Sequence, residues 1–118
     1  MTSRNTLYLY QGDDETLLAE LTFADGEPVP TITEVWFALS PDGTTIAHEE
    51  SLTGGGITMP DSTSIRVDIS QSDMAAIPPG EYSIYCKYRT NAGLERHVGN
   101  RQRPQTVQVV ASPLVDKN

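Results

Sequence analysis

The sequence predicts an all-β protein, an antiparallel sandwich or barrel of about seven to nine short strands. Apolar and polar residues alternate with a period of two in most segments, as in strands that bury one face. Turn-forming residues interrupt these segments about every 8–12 residues, a spacing typical of β-sandwiches. Because strands do not alternate with long helical segments, a parallel α/β sheet is not expected.

The N-terminal part of the chain contains three predicted strands. Thr6–Gln11 alternates leucine with tyrosine, so the two residue types are expected on opposite faces, and Thr16–Phe23 places its apolar residues on one face. An Asp-Gly turn and two prolines separate them from Glu34–Ser40, which contains the only tryptophan, Trp36. Both faces of Glu34–Ser40 are apolar, which indicates a central strand whose second face is covered by a neighbour.

The middle of the chain predicts a hairpin and two more strands. Pro41–Thr44 is a strong turn sequence, after which Thr44–Glu49 is expected to pair back. Three consecutive glycines then form a joint before a short strand at Ile57–Met59. Ile65–Ile69 follows with a clean alternation of apolar and polar residues.

The C-terminal part predicts one helical turn and three strands. The turn, Ser72–Ile77, is expected to be capped by Ser72 or Asp73 and stopped by the prolines that follow. The strands are Glu81–Thr90, Leu94–Val98 and Gln105–Ala111. The inward positions of all segments predict eight mostly buried side chains: Leu21, Trp36, Ile65, Val67, Tyr82, Ile84, Cys86 and Val107.

Length and charge limit the classes of function. The chain has 118 residues and a formal net charge of −8, and is expected to be one domain, 1–118. An acidic chain is poorly suited to nucleic acids or anionic membranes, so neither partner is expected. No signal peptide or membrane span is recognised, and the single cysteine excludes an intrachain disulfide.

Charge is divided unevenly along the chain. Residues 1–65 carry eleven acidic side chains and one basic one, whereas residues 66–118 carry five acids and seven bases. The bases cluster between Lys87 and Arg103. An acidic end and a basic end suit layered, head-to-tail assembly with a complementary partner. The alternative is that exposed strands and loops simply differ in charge.

Residues that could carry catalysis are few, so no catalytic, cofactor-binding or metal-binding residue is predicted. His48 and His97 are interpreted as solvated surface histidines. Cys86 is interpreted as a small buried hydrophobe rather than a nucleophile. Neighbouring carboxylates at Glu49 and Glu50 point to opposite faces of a strand and cannot chelate one ion together.

Three motifs occur in an order that resembles a known family. They are Tyr8–Glu15, which runs from a strand into Gly-Asp; Ile65–Asp73, a strand and a short turn; and Pro79–Tyr82, a Pro-Gly-x-Tyr start to a long strand. Their order is similar to that of the immunoglobulin-like β-sandwich domains of tailed-bacteriophage virion proteins, such as the N-terminal domain of baseplate upper proteins. The resemblance covers residues 6–111, and it leaves 1–5 and 112–118 as terminal arms.

The resemblance implies an immunoglobulin-like sandwich and a non-catalytic structural protein of a bacteriophage virion. Such a protein would be made in the host cytoplasm and occupy a tail, baseplate or capsid-decoration position, in contact with other virion proteins or with copies of itself. Baseplate upper proteins continue into a long receptor-proximal region, whereas only seven residues follow Ala111 here. The family has no catalytic residues or cofactor to transfer to this chain.

A basic stretch and the C-terminal arm are the predicted partner-binding residues. Arginines suit bidentate contacts with carboxylates, and the arm carries two aliphatic side chains that could dock on a neighbour. These residues are Arg89, Arg96, Arg101, Arg103, Leu114 and Val115. The alternative is that the arginines only balance acids of their own chain.

Two other functions stay open at this point. A carbohydrate- or cell-surface-binding sandwich would present exposed aromatic rings beside carboxylates and amides, and Trp36 is the residue that tests it. A small enzyme is a weaker alternative because candidate bases are scarce.

Overall fold

A computed structural model describes residues 7–23, 26–98 and 105–113, and these residues form nine strands and one short helix. The strands are β1 Leu7–Tyr10, β2 Glu15–Glu20, β3 Ile32–Ser40, β4 His48–Ser51, β5 Ile57–Asp61, β6 Ser64–Ile69, β7 Gly80–Thr90, β8 Glu95–His97 and β9 Thr106–Val110. The helix is α1, Gln71–Ala76. Within the described ranges, no helix has the length and apolar character needed to cross a membrane.

The strands form two sheets. The large sheet has the order β1-β9-β7-β3-β4, and β8 also pairs with β7. The small sheet has the order β2-β6-β5 and is antiparallel throughout. All pairs in the large sheet are antiparallel except β1 and β9, which run parallel. The prediction of an all-β sandwich is confirmed, with one parallel pair between its first and last described strands.

The core lies between the two sheets. Its buried apolar side chains are Leu9, Leu21, Val35, Phe37, Leu39, Ile57, Ile65, Val67, Ile69, Met74, Ile77, Tyr82, Tyr88, Val107 and Val109. The central strands of the large sheet, β3, β7 and β9, turn every second residue toward this core. The residues in between therefore point to the outer face of the sheet.

Of the eight predicted core residues, five are buried and two are partly buried on the inward face, whereas the position of Trp36 needs correction. Ile84 and Cys86 face inward but are only partly buried, packed against the core cluster. Trp36 lies on the opposite side of β3 from Val35 and Phe37, on the outer face of the large sheet. Since both faces of β3 are apolar, residue type alone does not identify the face that turns inward.

The N-cap of helix α1 lies two residues before Ser72, the first of the two predicted caps. Ser70 is the N-cap, and its hydroxyl accepts a hydrogen bond from the Asp73 backbone N–H at 3.2 Å. Met74 is buried, and the helix ends at Ala76, with Ile77 as its C-cap, because prolines follow. The Tyr82 hydroxyl donates to the Pro78 carbonyl at 2.5 Å, which ties the segment after the helix to β7.

The loop between β3 and β4 is longer than the sequence predicts. Thr44 and Thr45 were expected to start a strand, but both backbone N–H groups donate to the Asp42 carboxylate, at 2.9 and 2.7 Å. Both threonine hydroxyls also donate to Asp42. A side chain that satisfies these backbone donors competes with the strand ladder, so pairing starts only at His48.

Asp42 is expected to stabilise the fold in a pH-dependent manner. Hydrogen bonds from the Thr45 and Thr44 backbones hold the pKa of the Asp42 carboxyl well below its usual range. A lowered folded pKa gives stability that is complete above the unfolded pKa, about 4, and is lost as the pH falls below it. We expect Asp42→Asn to lower the midpoint of thermal unfolding at pH 7, measured by circular dichroism.

The difference between Asp42→Asn and wild type should shrink as the pH is lowered from about 4, because Asp42 then takes up a proton in the unfolded chain before it does so in the folded one. Asp13→Asn is the control, because the Asp13 carboxylate accepts no hydrogen bond among the described residues. An Asp42→Asn deficit that is equal at pH 7 and at low pH would contradict this role for the charge.

Candidate functional site

The sheet register collects aromatic and charged side chains on the outer face of the large sheet. Trp36 pairs across the ladder with Lys87, and Ala38 pairs with Tyr85. Glu34 and Glu95 pair with Arg89 from its two sides. Cross-strand partners point to the same face of a sheet, so these residues are neighbours. We name the set Trp36, Tyr85, Lys87, Arg89 and Glu95 the Trp36 platform.

Two cations lie over the Trp36 ring. The Arg89 guanidinium carbon is 4.9 Å from the ring centroid and the Lys87 ammonium is 5.7 Å from it, both within cation–π range. Glu95 forms an ion pair with each of the two cations, at 2.8 Å from Lys87 Nζ and at 2.8 Å from Arg89 Nε. Hydrogen bonds from Lys87 and then from Arg89 lower the pKa of the Glu95 carboxyl. The platform therefore keeps long, flexible side chains in one arrangement.

A shallow depression of about 140 Å³ opens beside the platform. Its lining includes Trp36, Ile46, Glu49, Tyr85 and His97. Small-molecule sites usually have volumes of about 300–1,000 Å³, so this depression suits one inserted side chain better than a whole ligand. The lining is aromatic and aliphatic, with the Glu49 carboxylate and the His97 imidazole among its polar groups.

The outer face of the small sheet has the opposite character. Leu18 lies there with 76% of its surface exposed, opposite Arg66 in the β2–β6 ladder. Three carboxylates, those of Glu20, Asp61 and Asp68, belong to the same sheet, and Asp68 is paired with Arg66. We name Leu18 with these three acids the acidic face.

Hydroxyl groups hold the carboxylates of the acidic face. Ser64 Oγ lies 2.7 Å from a Glu20 oxygen and 3.1 Å from an Asp61 oxygen, so the two carboxylates share its one hydroxyl proton. Asp68 accepts from Thr16 Oγ1 at 2.7 Å, and this bond, with Arg66, lowers the pKa of its carboxyl. These hydrogen bonds hold the carboxylates in place beside the strands of the small sheet.

A third exposed apolar region lies on edge strand β1. Leu7, Tyr8 and Tyr10 are all exposed there, and β1 pairs only with β9 among the described strands. Exposed apolar edge strands are sites where another chain can pair. The predicted arm residues Leu114 and Val115 lie outside the described residues, as do 1–6, so their docking stays a prediction.

The predicted arginine cluster is divided. Arg89 belongs to the Trp36 platform, whereas Arg96 pairs with Tyr88 and points to the other side of the β7–β8 ladder. Arg101 and Arg103 lie outside the described residues. Arg89 is also paired with Glu95 in its own chain, as the alternative interpretation expected for these cations. Residue parity explains the division, because successive residues of β7 point to opposite faces.

Cys86 behaves as a structural residue. Its side chain packs against the core cluster, and burial raises the pKa of the thiol to about 11. A thiol with this pKa is almost entirely protonated at pH 7 and is a poor nucleophile.

The interpretation of His48 as a solvated histidine is wrong. Its side chain is only 13% exposed, and Nε2 lies 2.5 Å from Glu50 Oε2. Asp73 of α1 reaches the same place, and one ligand atom from each of the three residues lies within 4.8 Å of the others. The signal available in the sequence was the spacing of two between His48 and Glu50, which puts them on one face of a strand. The approach of Asp73 depends on tertiary structure.

His97 fits its predicted exposure, and it lies opposite Lys87 in the β7–β8 ladder.

A comparison of this chain with models of known protein families gave no match, and neither did a comparison with curated proteins. The geometry of the Trp36 platform and of the acidic face is therefore the basis for interpreting function.

Proposed function

We propose that this protein is a non-catalytic structural protein of a bacteriophage virion, in a tail, baseplate or capsid-decoration position, with an immunoglobulin-like sandwich. The resemblance over residues 6–111 suggests the virion role. The observation that carries the protein-contact function is the Trp36 platform. Tryptophan, tyrosine and arginine are the residues most enriched where protein interfaces derive their binding energy, and here they occur side by side.

The partner that fits the platform best is the acidic face of a second copy. The platform presents two cations, which share the single carboxylate of Glu95. The acidic face presents an exposed leucine and three carboxylates, of which, among the described residues, only Asp68 is paired with a cation, Arg66. Leu18 can enter the depression beside Trp36 while carboxylates approach Lys87 and Arg89. Opposite charges around an apolar centre are typical of specific interfaces.

The two surfaces lie on the outer faces of different sheets, on opposite sides of the sandwich. Contact between them is head-to-tail, so copies would stack into a ring or a filament rather than a closed two-fold dimer. This geometry is the layered assembly that the charge division of the sequence suggests.

The alternative, a carbohydrate-binding module, is less well supported. A sugar stacks on an open aromatic face. Arg89 and Lys87 occupy positions over the Trp36 ring, so a sugar would have to displace a cation that Glu95 also holds.

Complementation between two variants tests the self-assembly. Sedimentation equilibrium of the full chain at about 50 mM salt should detect association that weakens at high salt. Arg89→Glu and Leu18→Lys should each abolish association, since each removes one of the two surfaces. An equal mixture of the two variants should form one-to-one dimers, because each keeps the surface that the other lacks.

Val29→Lys is the matched control, since Val29 is an exposed apolar residue outside both surfaces. Association that survives both variants, or a mixture that stays monomeric, would show that these two surfaces do not meet. The virion role is tested separately by mass spectrometry of purified particles of a phage that encodes the chain. Absence of the chain from those particles would overturn that role.

A further inference from the structure

We propose that His48, Glu50 and Asp73 bind one divalent transition-metal ion, with Zn²⁺ as the reference ion, at the edge of the sandwich. The proposal is independent of the proposed function. An imidazole nitrogen with two carboxylate oxygens is a donor set that suits Zn²⁺ and neighbouring first-row ions. Three protein ligands leave a fourth tetrahedral position for water.

Backbone geometry places the three donors around one point. His48 and Glu50 are two residues apart on β4 and project to the same side of the large sheet. Asp73 comes from α1, which begins directly after β6 of the small sheet. The three ligand atoms lie within 4.8 Å of one another.

Small side-chain rotations would complete the coordination. Ligand atoms at about 2.0–2.1 Å from a tetrahedral ion lie about 3.4 Å apart. His48 Nε2 and Glu50 Oε2, now 2.5 Å apart, would separate slightly, and the Asp73 carboxylate would move inward. The Asp73 side chain is exposed, which leaves it room to change rotamer.

Charge and burial favour an ion at this place. His48 and Glu50 are only 13% and 15% exposed, which limits competition from bulk water. Among the described residues, neither Lys nor Arg pairs with Glu50 or Asp73, and the Asp73 carboxylate accepts no hydrogen bond. With a neutral imidazole the trio carries two negative charges, which one divalent cation balances.

The position of Glu50 is also constrained by its neighbour. A Cβ added at Gly56 would overlap the Glu50 carboxylate, so a glycine at this position leaves room for that carboxylate beside His48. The contact between His48 Nε2 and Glu50 Oε2 brings two of the three ligands together before any ion binds, which reduces the ordering needed on binding.

An ion at this site would link the two sheets. It would connect edge strand β4 of the large sheet to the helix that follows β6 of the small sheet. A ligand that binds the folded chain and not the unfolded chain raises stability by mass action. Zn²⁺ should therefore raise the midpoint of thermal unfolding of the protein.

The test uses the full, tag-free chain after treatment with a chelator. Calorimetric titration with Zn²⁺ should give one ion per chain, and Co²⁺ should give the visible absorption of a tetrahedral site. His48→Ala and Asp73→Asn should each weaken binding by about tenfold or more, as loss of even an outer partner of a metal ligand does. Both variants should also lose the rise in unfolding midpoint.

His97→Ala and Cys86→Ser are the matched controls and should bind within about twofold of wild type, because neither residue belongs to the trio. Asp73→Asn is an isosteric change at an exposed residue, so its unfolding midpoint without metal should equal that of wild type. Weaker metal binding by this variant can then not be attributed to misfolding. Wild-type affinity no greater than that of Asp73→Asn, or an equal loss in His97→Ala, would overturn the proposal.

Discussion

Leu39→Ala is expected to destabilise the protein by about 2–5 kcal/mol, the range measured for large-to-small substitutions at fully buried sites. Leu39 has 0% of its surface exposed and lies on β3, between β7 and β4 in the large sheet. Neighbours on both sides of the strand prevent the cavity from closing. Equilibrium unfolding in urea, followed by circular dichroism, measures the free energy of unfolding.

Leu18→Ala provides the control for Leu39→Ala, with the same chemical change at a leucine that is 76% exposed. Its effect should stay within about 0.5 kcal/mol, as is usual for surface sites. A loss at Leu39 as small as the loss at Leu18 would mean that β3 is displaced by one residue and presents its other face to the core.

Trp36→Ala is expected to weaken self-association at least about 30-fold, equivalent to the roughly 2 kcal/mol that defines the strongest interface residues. The substitution removes the ring that Arg89 and Lys87 cover and enlarges the depression that would receive a partner side chain. Sedimentation equilibrium of wild type and variant at low salt gives the two dissociation constants.

Trp36→Phe separates binding from folding. It keeps an aromatic ring of smaller area, so association should fall by less than in Trp36→Ala while the free energy of unfolding changes little. Leu94→Ala, at another exposed apolar residue of the same sheet's hairpin, should leave association unchanged. Normal association by a folded Trp36→Ala would remove the platform from the interface.

The candidate site was only partly predictable. Arg89 was singled out from the basic stretch. The inward positions predicted for Tyr82, Ile84 and Cys86 imply that Lys87 and Arg89 point outward, as they do in the structure. Arg96 was grouped with them, although it points to the other side of the β7–β8 ladder. Its direction depends on the ladder register, which is set by the hairpin turn and not by the composition of the stretch.

The His48, Glu50 and Asp73 cluster was missed for a different reason. The spacing of His48 and Glu50 was visible, but a pair of ligands on one strand is not by itself a metal site. The third ligand lies on α1, and contact between α1 and β4 exists only when the two sheets have packed together.

The sequence by itself determined the all-β class, the approximate places of its turns and strands, and the single short helix. These features are local, because period-two alternation, Asp-Gly and proline turns, and helix capping act within a few residues. The tertiary structure decided the parallel pairing of β1 with β9, the outward position of Trp36, and the gathering of charged side chains on two opposite faces. Those features join segments far apart in the chain, and a strand with two apolar faces, such as β3, takes its orientation from the sheet that packs against it.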